Sequence, residues 1–207
     1  NTRLAIVDPN CRISLPIKSS DNRNIITFNG EIYNHNSLRK FLKEKGCDFR
    51  TKTDTEVLLN GLILENVSFF SKLDGMWAFG FYNQKKKELI LSRDLLGERH
   101  LFFSIKDGIV YFASEPLPII YQLKNTNLEI DNDSVVTAMF FNASSPEKTL
   151  IKGINKLKPG YNLIFEAKKN PKEILFNKLH PEKWFDFYLG SHGHDEVFKK
   201  FNEIATE

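Results

Sequence analysis

Phe28-Asn29-Gly30-Glu31-Ile32-Tyr33-Asn34 is the stretch on which the reading of this 207-residue chain turns. An apolar, strand-like run, residues 25–28, leads into it, and a helical pattern begins where it ends. Two readings of Asn29-Gly30 stand open. Asn-Gly between strand-like runs is the strongest short-range signal for a hairpin turn. The same pair at one exposed strand end sets a side-chain amide beside an unhindered backbone N–H. Those are the donors that stabilise negative charge developing on a carbonyl oxygen.

Downstream, Leu38, Phe41 and Leu42 fall at helical spacing and Gly46 sits where that helix should end. Thr53-Asp54-Thr55-Glu56 reads as a capping box, with Thr53 capping and Glu56 reaching back. It opens a helix over residues 54–64 whose buried stripe is Val57, Leu58, Leu62 and Ile63. Asp54 then lies in the first turn, where the helix dipole favours a carboxylate, and on its own it is a helix-start residue. Upstream, residues 3–7 read as a buried strand ending at Asp8-Pro9-Asn10, and residues 16–24 as a loop.

From Asp74 to Glu115 the pattern is a β meander, with strands at residues 76–82, 88–92, 101–105 and 109–113. Two short helical stretches follow, at residues 116–122 and 133–141, and Lys158-Pro159-Gly160 turns into a last strand at 161–165. A Lys-, Asn- and Pro-rich linker comes next, placing a domain edge near residue 166, with one helix from His194 onward. Helices combined with an antiparallel meander, without regular βαβ units, give an α+β layered fold; two sheets sandwiched between helices are one such solution.

Lys+Arg 29 against Asp+Glu 26, net +3, demands neither nucleic acid nor an anionic membrane surface. No run approaches the roughly 20 apolar residues of a membrane span, and no signal peptide opens the chain, so the expectation is a soluble, cytoplasmic protein. Cys11 and Cys47 read as free thiols without metal-ligand spacing, and the five histidines show no ligand pattern either. Without an initial Met, and with a strand at its very start, the chain reads as one that begins mid-fold.

Six motifs in one order then carry a resemblance. They are Arg3-Leu4-Ala5-Ile6-Val7-Asp8, the Phe28 to Asn34 stretch, Thr53-Asp54-Thr55-Glu56, Leu73-Asp74-Gly75-Met76-Trp77-Ala78-Phe79, Ser92-Arg93-Asp94-Leu95-Leu96-Gly97 and Phe112-Ala113-Ser114-Glu115. The series resembles the glutaminase domain of class II glutamine amidotransferases, in the glutamine-dependent asparagine synthetase branch. Residues 153–160, from Gly153 to Gly160, resemble that branch's closing motif.

The resemblance covers about residues 3–165 and implies an N-terminal-nucleophile hydrolase fold, an αββα sandwich of two antiparallel sheets between helical layers. Residues 1–165 would form the glutaminase domain, short of its first segment, and 166–207 a linker and the start of a synthetase-type domain. In such proteins a terminal cysteine attacks the side-chain amide of glutamine, with its own α-amine as base. A thioester forms, ammonia leaves, and water releases glutamate.

Carried over, Arg3 would hold the glutamine α-carboxylate, Asn29 and the Gly30 N–H would form the oxyanion hole, and Glu31 and Asp54 would meet the α-ammonium. Arg93 and Asp94 are scaffold, read as a structural ion pair. The resemblance implies no cofactor for this domain, and ATP with Mg for a synthetase domain that would receive the ammonia. It names L-glutamine and that domain as partners and leaves a homodimer open.

The chain departs from the family in four places. The family's nucleophile lies upstream of the Arg3 strand, so neither Cys11 nor Cys47 can supply its own α-amine, and the expectation is that the nucleophile is absent from these residues. Asn1 stands where a histidine is common, and Glu98-Arg99-His100 replaces the usual Lys-Pro pattern. The Ser-Gly-Gly-x-Asp-Ser loop of an ATP-pyrophosphatase does not occur. A non-catalytic module that binds glutamine or scaffolds a partner is the alternative reading.

Overall fold

The computed structural model describes residues 16–124, 126–142, 145–167 and 169–176. In chain order these form β1 (Ile17–Lys18), β2 (Asn24–Ile32), helices α1 (His35–Glu44) and α2 (Asp54–Glu65), and a 3-10 helix (Asn66–Lys72). Two hairpins follow, β3 (Gly75–Asn83) with β4 (Glu88–Arg93) and β5 (Phe102–Lys106) with β6 (Ile109–Ala113), which join different sheets rather than one meander. After them come α3 (Pro116–Leu123), α4 (Asn132–Phe141), β7 (Asn155–Lys156), β8 (Tyr161–Glu166) and β9 (Lys172–Leu175). The strands form two antiparallel sheets, ordered β1-β2-β3-β4-β8-β9 and β6-β5-β7.

Alternation along each strand sorts the apolar residues into layers. One face of the larger sheet, with Ile26, Trp77, Phe79, Phe81, Ile90 and Ile164, packs against Leu38 and Leu42 of α1, Val57, Leu58 and Leu62 of α2, and Phe69 and Phe70 of the 3-10 helix. The opposite face, with Ala78, Leu91 and Leu163, meets Phe103, Val110 and Phe112 of the smaller sheet. The outer face of that smaller sheet, with Phe102, Tyr111 and Ala113, carries Ile119 and Leu123 of α3. Helices, sheet, sheet, helix is the αββα order expected. The two sheets come close enough that a Cβ on Gly80 of β3 would lie 2.5 Å from the Phe112 ring.

Several local expectations change. β2 does not end at Asn29-Gly30 but runs on to Ile32, paired throughout with β3, which removes the hairpin reading. Residues 16–24 are not all loop: Ile17 and Lys18 pair with Ile26 and Ile25. Beyond the residue-166 edge, β9 pairs with β8 from Tyr161↔Leu175 to Ile164↔Lys172, so the large sheet continues there. In α2, Val57, Leu58 and Leu62 are buried as expected, but Ile63 is exposed and Leu59 is buried in addition. No helix among the described residues is long and apolar enough to cross a membrane. The expected strand at residues 3–7 and the helix from His194 lie outside the described residues.

Candidate functional site

At the far end of β2 two glycines, Gly30 of β2 and Gly75 of β3, let the two strands interlock. A Cβ on Gly30 would sit 2.1 Å from the Met76 carbonyl oxygen, and one on Gly75 would sit 2.2 Å from that of Glu31. Only residues without a side chain let the two strands approach this closely. Trp77, opposite Gly30, turns both of its backbone groups to Asp94: its N–H donates to Oδ2 at 3.3 Å, and its carbonyl accepts from the Asp94 N–H at 2.9 Å. Gly30 and Trp77 therefore form a non-hydrogen-bonded pair, and the Gly30 N–H is directed away from β3.

Two residues on, the Ile32 N–H leaves the same edge of β2 and donates to Oδ2 of Asp54 at 3.1 Å. Asp54 is held at the start of α2, where the Thr53 hydroxyl accepts from the Glu56 N–H at 3.3 Å. The Asp54 Oδ1 accepts from the Thr55 N–H at 2.8 Å. Only half of the expected capping box forms. The Glu56 carboxylate turns instead to the preceding loop, accepting from the N–H groups of Arg50 at 2.9 Å and Thr51 at 2.7 Å and from the Thr51 hydroxyl at 2.6 Å.

Asn29 and Glu31, flanking Gly30, share the face of β2 that looks toward the smaller sheet. Asn29 reaches that sheet: its Nδ2 donates to Oγ of Ser114, just past β6, at 3.3 Å. Asn29, Gly30, Glu31 and Asp54 are thus brought to one end of the sandwich. Arg3, the predicted carboxylate-binding residue, lies outside the described residues. Asn34 is a strut, its side chain donating to the Lys72 carbonyl at 2.8 Å and accepting from the Asp74 N–H at 3.1 Å.

The loop after β4 borders this end. Loss of water contact pushes the Tyr33 phenol above its ordinary pKa, and the nearby charges of Glu98 and Glu31 push the same way. Arg93 and Asp94 organise the loop, though not as the ion pair expected. Arg93 Nε, Nη1 and Nη2 donate to the carbonyls of Arg99 at 2.7 Å, Leu157 at 2.8 Å and Gly97 at 2.6 Å. Nη2 also meets His100 Nδ1 at 3.2 Å. A guanidinium only donates, so His100 accepts there and carries its proton on Nε2. Asp94, 1% exposed, accepts from the N–H groups of Trp77, Leu96, Glu98 and Arg99 at 3.0–3.3 Å. Burial lowers the Arg93 pKa, against the opposing pull of Asp94.

Cys47 is unsuited to nucleophilic work: it packs against the core beside α1, and burial pushes its thiol pKa up. Cys11 lies outside the described residues. Among the described residues no group of three His, Cys, Asp or Glu side chains could hold a metal ion. Sequence reasoning noticed Ser114 within a motif but gave it no role, because a contact between residues 85 positions apart has no local signal.

The chain matches the glutamine amidotransferase domain family over residues 1–175. Over 158 residues it is 35% identical to asparagine synthetase [glutamine-hydrolyzing] 1 of Bacillus subtilis (strain 168), covering 76% of this chain and 24% of that protein. Over 114 residues it is 41% identical to asparagine synthetase [glutamine-hydrolyzing] 3 of Arabidopsis thaliana, covering 55% of this chain and 19% of that one. The chain thus spans a quarter or less of the length of these relatives. Among solved structures, glutamine phosphoribosylpyrophosphate amidotransferase from B. subtilis shares the fold, with a TM-score of 0.51 at 22% identity over 78% of this chain and 31% of that one.

Proposed function

Because the chain belongs to the family of glutamine amidotransferase domains, we propose that it reads and hydrolyses L-glutamine within an asparagine-synthetase-like protein. The observation that carries this reading is the convergence at the end of β2: an amide and a backbone N–H pointing away from β3, beside two carboxylates, one of them fixed at a helix start. In the reading, Asn29 Nδ2 and the Gly30 N–H stabilise the oxyanion that forms on the glutamine side-chain carbonyl. Glu31 and Asp54 meet the α-ammonium, and Arg3 meets the α-carboxylate.

The step they serve is attack of a cysteine thiolate on that carbonyl, with the C–N bond breaking to release ammonia and water then cleaving the thioester to glutamate. A nucleophile that uses its own α-amine as base must be chain-terminal, so on this reading neither Cys11 nor Cys47 fills the role. The ammonia would serve a second domain that uses ATP and Mg to amidate a carboxylate, aspartate or a sugar acid, in the cytoplasm. The half-buried Cys47, with its thiol pKa raised, and the altered Glu98-Arg99-His100 loop favour a second reading, a non-catalytic module that retains only the glutamine pocket.

The test is glutamate release from L-glutamine by the protein expressed from its whole reading frame. Turnover should fall about 10²–10³-fold in Asn29→Ala. Binding of L-glutamine without release would favour the second reading, and neither binding nor release would overturn both.

A further inference from the structure

We infer that Ser114 is a positioning residue that holds the Asn29 amide in place across the two sheets. The inference rests on the glutamine-binding reading and deepens it. Asn29 belongs to β2 in the larger sheet, whereas Ser114 directly follows Ala113, the last residue of β6 in the smaller one. The Nδ2 to Oγ bond of 3.3 Å therefore ties the sheets together at the end where the candidate site lies.

Asn29 is exposed, and an asparagine amide turns about a broad, roughly two-fold torsion. Untethered, it would present a mixture of orientations to a carbonyl oxygen, and a donor misplaced by about 1 Å loses most of its worth. Ser114 removes that freedom. It takes one Nδ2 hydrogen and leaves the second without a protein partner among the described residues, available to a ligand oxygen.

The mount is itself rigid. Ala113 pairs with Phe102 on one side of Ser114, and Pro116 begins α3 two residues on, with Ile119 and Leu123 buried beneath it. The backbone that carries the hydroxyl is therefore fixed by a strand end and a helix start, while the amide it meets would otherwise turn freely.

The experiment compares the 207-residue chain with Ser114→Ala and Ser114→Thr. One readout is the Asn29 side-chain amide pair in 1H–15N spectra, assigned by its loss in Asn29→Asp. The other is calorimetric affinity for L-glutamine and for L-norvaline, which keeps the α-amino and α-carboxylate groups but has no side-chain amide. Ser114→Ala should move the Asn29 pair and weaken L-glutamine roughly fivefold, the effect of one hydrogen bond, with L-norvaline unchanged. Ser114→Thr, which keeps the hydroxyl, should restore both. An unmoved Asn29 pair, or equal weakening of both ligands, would overturn the inference. Failure of the wild-type chain to bind L-glutamine would instead remove the functional reading beneath it.

Discussion

Asp54 and Asp94 are both buried carboxylates beside β2 and β3, and their surroundings differ in kind. Asp94 accepts from four backbone N–H groups and fixes the turn from β4 into the loop that follows. Asp54 accepts from the Thr55 N–H and, at 3.5 Å, the Thr55 hydroxyl at the start of its own helix, and from the Ile32 N–H at the end of β2. A saturated carboxylate is structural, because every lone pair it could offer a ligand is already bonded to the fold. Asp54 is held by fewer backbone N–H groups, two against four, and in the proposed function its remaining capacity meets the α-ammonium.

Substitutions can break that contrast. Asp94→Ala would leave four N–H groups unpaired and should cost about 3–5 kcal/mol in urea unfolding. A loss below about 1 kcal/mol would show the loop to be held by other means. Asp54→Asn keeps an oxygen for the Ile32 N–H, so its stability cost should stay near about 1–2 kcal/mol. Its effect belongs in binding, where L-glutamine affinity should fall at least about tenfold.

Thr53→Ala removes the cap that orients Asp54 and should cost about 1 kcal/mol, readable as a lower urea midpoint with an unchanged slope. Phe140→Gln marks the small end of the scale. Phe140 is 82% exposed on α4, so the exchange should move stability by less than about 0.5 kcal/mol. Cys47 gives a chemical counterpart. Its thiol pKa is raised, so the neutral form dominates at pH 7 and alkylation, followed by mass mapping, should run slower than for a free cysteine thiol.

Elements with strong local periodicity were readable in advance. α2, the four strands from Gly75 to Ala113 and the Thr53 cap follow from short-range pattern and capping chemistry, but the expected single meander is two hairpins, β3-β4 and β5-β6, in separate sheets. What stayed illegible depends on distant neighbours. Asn29-Gly30 carries hairpin composition, yet its glycine serves the close approach of Met76, a contact 46 positions away in the chain. Glu56 was expected to close its own capping box, but the Arg50 and Thr51 N–H groups claim its carboxylate. β9 is an edge strand with every residue exposed, so no alternation of buried and exposed positions marks it. Of the residues that the resemblance named, Asn29, Gly30, Glu31 and Asp54 lie at one end of the sandwich and Arg3 lies outside the described residues, whereas the Asn29–Ser114 contact became visible only once the two sheets were placed together.

Calorimetric titration of L-glutamine into the wild-type chain and into Asp54→Asn tests the central claim most directly. Saturable binding to the wild type, preferred over L-glutamate, and at least about tenfold weaker binding to the variant are expected. Absence of binding to the wild type, or equal affinity in the two proteins, would contradict that claim.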